Sequence, residues 1–232
     1  KKSDINIIEA GLFFRLDASN VFKKNLASVI MPIGIDHKDF LKRGTINEIV
    51  YEKCSNLPTG SKVIVSKQNK NTLKEIKKYV NKNSSKKIFF GRNFNIKKNK
   101  KKFIFEDIYG KMELPLPNLQ GDFQIDNVST AIATARAIQQ FNITEKHIKS
   151  AIKKIKGEGR LQMLAKGNLR KYVSENNKIL IDGAHNILAA NAIKKYLNTS
   201  DKKKKIIMIL GMMKNKEHKK FIKIFKNIVY SV

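Results

Sequence analysis

"KVIVSKQNKNTLKEIKKYVNKNSSKKIFFG" runs from Lys62 to Gly91. "KVIVS" (62–66) is a short apolar run of the kind that forms a buried strand. Over 71–81 the apolar residues recur at helical spacing, which predicts an amphipathic helix. "KKIFFG" (86–91) is a second buried-strand pattern. Parallel neighbours need a crossover long enough to hold a helix, so strand, helix and strand in succession predict a parallel sheet. The same alternation extends outward. "INIIE" (5–9) and "ASVIMPIGI" (27–35) read as strands, and a helix begins near Thr45. "NFNIKKNKKKFIFED" (93–107) reads as a hairpin and "GKMELPLPNLQG" (110–121) as extended chain and loop. Helices follow near 124–141 and 144–155. The glycines and charges of "KKIKGEGR" (153–160) mark a boundary, giving domains 1–156 and 157–232. Beyond it, "LQMLAKGNLRKYVS" holds up to two strands, "KILIDG" and "KKIIMILG" one each, with helices in "HNILAANAIKKYL" and "KEHKKFIKIFKNI". The fold class is α/β with a mainly parallel sheet, followed by a smaller Rossmann-like α/β domain that breaks off at "VYSV".

The 232 residues are 41% hydrophobic, enough for real cores. The formal charge of +29 points first to nucleic acid or an anionic surface. Its make-up points elsewhere. Only six of the 48 basic residues are arginine, tryptophan is absent, and the lysines fall in scattered runs such as "KKNKKK" (97–102) and "KKKK" (202–205). Nucleic-acid readers lean on arginine and interleaved aromatics. Lysine in company with isoleucine and asparagine is what an A- and T-rich genome encodes. No specific nucleic acid is therefore expected, although the field attracts anionic substrates such as nucleotides. No apolar run reaches the length that spans a bilayer, so no membrane is expected. The single cysteine, Cys54, excludes an internal disulfide framework and fits a reducing cytoplasm. No basic-then-apolar leader opens the sequence.

Polar residues gather where three strands are expected to end. "INII" ends in Glu9, "VIMPIGI" in Asp36-His37, and "KILI" in Asp182-Gly183-Ala184-His185-Asn186. In open α/β sheets ligands bind outside the carboxyl ends of the strands. Each residue also has a plainer role open to it, as a solvated acid, a turn former or a cap. His147 and His218 lie in lysine-rich helical segments and read as surface residues. Lys53 is the exception among the lysines. Ile46, Ile49, Val50 and Leu57 share a helical face, and Lys53 falls on it. Burial disfavours the charged amine, so such a lysine finds a carboxylate, snorkels to water, or acts as a neutral amine.

Six blocks occur in one order: "EAGLFFRLDASN" (9–20), "IGIDHKDFLKRGTINEIVYEKCSNL" (33–57), "GDFQIDNVSTA" (121–131), "GEGRLQ" (157–162), "IDGAHNILA" (181–189) and "GMMKNKE" (211–217). Together they resemble folylpolyglutamate synthase / dihydrofolate synthase, the folate branch of the Mur ligase superfamily. The resemblance implies a central ATPase domain followed by a C-terminal ligase domain. The family P-loop "GTNGKGS" has no counterpart here, which implies an internal fragment without productive ATP binding of its own. Phe13 and Phe14 stand for two family glycines, Phe123 for a histidine, Gly157-Glu158 for Trp-Pro, and Cys54 for an alanine.

The implied reaction is ATP-dependent. A carboxylate is activated as an acyl phosphate with ATP and Mg²⁺, and the amine of L-glutamate then forms the amide. The acceptor is dihydropteroate or a tetrahydrofolate polyglutamate, and both options stay open. The resemblance makes Glu9 and His37 metal ligands and Lys53 a carbamate that binds or orients a second Mg²⁺. It places Asn127 near the adenine, Arg160 at the ATP phosphates, Asp182 at the ribose, and His185 near the phosphates and the reacting carboxyl group. It also implies domain closure before chemistry and a cytoplasmic monomer. Another Mur-type amide ligase, and a basic nucleic-acid-binding protein, are the alternatives.

Overall fold

The computed structural model describes residues 3–83, 85–199 and 205–232. Two compact units interleave along the sequence. One takes Lys1–Ile96, Phe105–Lys111 and Ser129–Ile143, the other Lys97–Ile104, Met112–Val128 and Thr144–Val232.

The first unit is built on the stretch quoted above. Strands β1 (Ala27–Ile30), β2 (Lys62–Val65) and β3 (Lys86–Phe89) form a parallel sheet in that order. Val29 pairs with Ile64, and Ile64 with Ile88. Val63, Ile64 and Val65 are fully buried, as the central strand of a covered parallel sheet should be. Helix α1 (Ile46–Cys54) starts at a capping box in which Thr45 and Glu48 satisfy each other's backbone N–H groups. Helix α2 (Lys70–Asn83) turns Leu73, Ile76 and Val80 inward. These residues share one core with Ile30, Ile33, Ile49, Val50, Cys54 and Phe89.

Strands β4 (Phe94–Lys98), β5 (Lys102–Asp107) and β6 (Gly110–Pro115) make a second sheet, order β4-β5-β6. Phe103, Phe105, Met112 and Leu114 are its buried alternate residues. The side chain of Asn99 accepts from the backbone of Lys101 and Lys102 and so shapes the polar turn. This sheet and helix α3 (Phe123–Ala137) contribute residues to both units. In the first unit, Arg136 forms a two-pronged ion pair with Asp107, at 2.8 and 3.0 Å.

The second unit adds α4 (Glu145–Lys154), β7 (Gln162–Met163), β8 (Leu180–Ile181), α5 (Ile187–Asn198) and α6 (His218–Ile224). Its core holds Ala190, Phe221 and Phe225, with Met208, Leu210 and Met212 packed against them.

Several expected elements differ in the structure. Residues 5–9 form no strand, and Ile7 is 93% exposed. Apolar content alone makes no strand without a neighbour to pair with. β1 is shorter than its apolar run, and beyond it Gln68 bonds the backbone of Met31 and Ile33 in place of a strand. "KKIIMILG" reduces, over its described residues, to one parallel bridge between Ile207 and Ser231. Its alternation persists: Met208 and Leu210 face the core while Ile209 is exposed. β7 and β8 pair antiparallel, and the second strand allowed in 161–174 is a 3-10 turn at Asn168–Tyr172.

Candidate functional site

In the first unit, Lys53 and His37 come together around an unexpected third residue. The core face of α1 runs through Ile49, Val50 and Cys54. Lys53 flanks it, half-buried. Its amine donates to the carbonyl of Leu12 at 3.3 Å and lies 5.7 Å from the ring centre of Phe13. Desolvation pushes the Lys53 amine below its ordinary value, opposed by the negative charges of Asp36 and Asp17. The Phe13 ring also meets the His37 imidazole edge-on, with centroids 6.2 Å apart. His37 adopts a left-handed backbone conformation (φ 53), a region histidine enters more readily than most residues. Its backbone N–H donates to the Asp36 carboxylate, whose Oδ2 is 3.9 Å from the His37 Nε2.

Glu9 is exposed and follows the unpaired segment. Among the described residues, no group of three or more His, Cys, Asp or Glu side chains gathers as a metal site. A hard dication takes oxygen donors, few of them from protein when it is Mg²⁺. Here the Asp36 carboxylate offers oxygen, and the His37 imidazole beside it offers a nitrogen. The Lys53 amine, which feels Asp36, offers no oxygen donor of its own.

In the second unit, Arg160, Asp182 and His185 lie on two chain segments tied together. The Asp182 carboxylate accepts from the backbone N–H of Leu161 at 2.7 Å and of Ala184 at 2.8 Å. Gly183 donates to the carbonyl of Gly159 at 2.8 Å. Asp182 therefore fastens the 159–161 turn to the end of β8. A carboxylate has about four acceptor positions, so two bonds leave capacity for a ligand hydroxyl. Leu161 is buried with φ 46, whereas Arg160 beside it is exposed. The Nδ1 of His185 lies 3.0 Å from the carbonyl of Gly183, and Asn186 caps α5 by accepting from Ala189. Asn127, on α3, donates to Gln124 at 3.0 Å.

Residues 165–229 match the family model described as dihydrofolate synthetase, C-terminal domain. The probable dihydrofolate synthetase of Schizosaccharomyces pombe is 27% identical over 197 residues, covering 84% of this chain and 45% of that protein. The dihydrofolate synthase/folylpolyglutamate synthase of Buchnera aphidicola subsp. Schizaphis graminum is 30% identical over 219 residues, covering 92% of this chain and 47% of that protein. The chain belongs to the dihydrofolate synthase/folylpolyglutamate synthase family.

A solved family structure, E. coli FolC in complex with DHPP and ADP, matches with a TM-score of 0.80 at 25% identity, over 95% of this chain and 49% of that one. The chain spans about half the length of the family relatives it matches. Of the family blocks, the first carries more of the Lys53 surroundings than its motif suggests. Leu12, Phe13, Arg15 and Asp17 all act on α1 or on the turn beside it. Their signal in the sequence was weak, because contacts 37 to 41 residues apart leave no periodic trace.

Proposed function

We propose that this chain is part of an ATP-dependent ligase that joins L-glutamate to dihydropteroate, to a folate that already carries glutamate, or to both. The substrate carboxylate attacks the γ-phosphorus of ATP and displaces ADP, giving an acyl phosphate. The glutamate amine then adds to the acyl carbon and loses a proton. The tetrahedral adduct expels phosphate as the carbon–oxygen bond breaks, leaving the amide. Mg²⁺, when bound, offsets the repulsion between the nucleotide phosphates and the carboxylate.

Lys53 carries this reading. Its amine is desolvated, touches a carbonyl and feels Asp36, at the position where the family lysine stands. The neutral amine adds to the carbon of CO₂, one C=O electron pair moves to oxygen, and nitrogen loses its proton to water. The product is a carbamate on a long stem. Glu9, His37 and the Lys53 carbamate would hold the metal ion, with the Asp36 carboxylate beside His37 as a further oxygen donor. Asn127 serves the adenine, Arg160 the phosphates and Asp182 the ribose. His185 serves the phosphates and the reacting carboxyl group. The glycines and charges of 153–160 support a domain boundary at 156–157. The polypeptide works as a monomer in the cytoplasm, and its excess lysine serves no specific nucleic acid and no membrane. Among the described residues no helix is long and apolar enough to cross one.

Phosphate release from ATP tests the reading, on the polypeptide that carries this chain. Release should require glutamate together with dihydropteroate or a folate. Release that ignores both folate substrates overturns it.

A further inference from the structure

The amine of Lys53 is positioned from outside its own helix. Its hydrogen-bond acceptor is the Leu12 carbonyl, and the ring beside it is Phe13. Both belong to the 11–20 turn, so whatever holds that turn holds the amine.

The turn is braced from within and then fastened to α1. Within it, the Asp17 carboxylate accepts from the backbone N–H groups of Gly11, Leu12 and Ser19 and from the Ser19 hydroxyl. The fastening falls on Glu52, the residue before Lys53. Its backbone carbonyl is among the last of α1, where a helix leaves acceptors without intrahelical partners. Phe14 and Arg15 fill that role, donating to it at 3.1 and 2.8 Å. The Glu52 side chain accepts twice from Arg15, from Nε and Nη2, each at 3.0 Å. The Arg15 guanidinium lies 5.2 Å from the ring centre of Tyr51. Asn56 and Asn20 both donate to the Arg15 carbonyl. Side chains 31% and 19% exposed, held in a two-pronged geometry, make this more than a loose surface pair.

We propose that Arg15 and Glu52 are positioning residues: their paired hydrogen bonds latch the 11–20 turn onto α1 and thereby fix the Lys53 amine against the Leu12 carbonyl and the Phe13 ring. The functional meaning of that placement rests on the role given to Lys53 above; the latch itself does not.

Amine labelling with an acetylating ester, read residue by residue by peptide mass spectrometry, separates the two. Lys62, half-buried and bonded to the Ala137 carbonyl elsewhere in the same unit, is the internal control. Glu52→Ala and Arg15→Ala should each raise the Lys53 labelling rate about tenfold, the order expected for losing a partly buried two-pronged pair. Lys62 should not change. The double variant should label no faster than either single one, because the two residues act as one unit. An unchanged Lys53, additive rates, or a parallel rise at Lys62 overturns the latch. Should Glu52→Ala fail to fold, Arg15→Lys keeps the charge and loses the fork. A smaller rise confined to Lys53 then supports the proposal, and a flat rate overturns it. Loss of turnover in Lys53→Ala bears on the functional reading alone.

Discussion

Lys53 owes its environment to a one-residue offset. Helical spacing put it on the core face, but Cys54 occupies the centre of that face and Lys53 stands at its margin. The margin keeps the stem covered and leads the amine to a carbonyl and an aromatic ring. On the proposed reading, Lys53→Ala should abolish ligase turnover in the polypeptide that carries this chain, and a short carboxylic acid in excess should restore part of it by standing in for the proposed carbamate. A fully active variant would remove Lys53 from the mechanism. Cys54 tests the burial of the same helix. Desolvation pushes its thiol up to about 12, against the opposing pull of Lys53. The native protein should therefore resist a disulfide-exchange reagent at pH 8 and react fully once denatured. Asp17 gives the matching test at low pH. Bonds from Ser19, Leu12 and Gly11 hold its carboxylate at about 2, below its ordinary value of 3.8. A depressed carboxylate stabilises the fold above the unfolded value and loses that contribution as pH falls through the folded one. The protection of the Gly11, Leu12 and Ser19 amides against hydrogen exchange, taken relative to the intrinsic rate at each pH, should fall between about pH 4 and pH 2, ahead of that of the β2 amides.

At the scale of elements, local signals succeeded where the element carries its own hydrogen bonds. Helix α1 has a capping box and an apolar stripe, and α2 has a stripe of Leu73, Ile76 and Val80. Thr45→Ala removes the cap and should cost about 1 kcal/mol in denaturant unfolding followed by helical signal. A cost near zero would mean that packing alone holds the first turn. Strands lack that self-sufficiency. "INIIE" and "KKIIMILG" have strand composition, yet pairing decides whether a strand exists. Gln68 illustrates the point, since a side chain takes the bonds that a neighbouring strand would supply beside Met31 and Ile33. The loop that anchors β8 depends on side chains too. Asp182 read as a turn former, a cap or a ligand, and its bonds to Leu161 and Ala184 make the turn role concrete while leaving acceptor capacity.

Across the whole molecule, the order of blocks carried the family assignment, and the folate relatives bear it out over most of the chain. The charge of +29 was the loudest feature and the least informative, because scattered lysines serve solvation as readily as binding. The sequence by itself determined the parallel β1-β2-β3 sheet, the helices beside it and the residue types offered for chemistry. Apolar periodicity and strand–helix alternation are local properties, written in consecutive residues. Only the tertiary structure decided what surrounds Lys53. Phe13, Arg15 and Glu52 meet through contacts between distant parts of the chain, and such contacts follow from packing and from the unpaired carbonyls at a helix end, neither of which has a period to read.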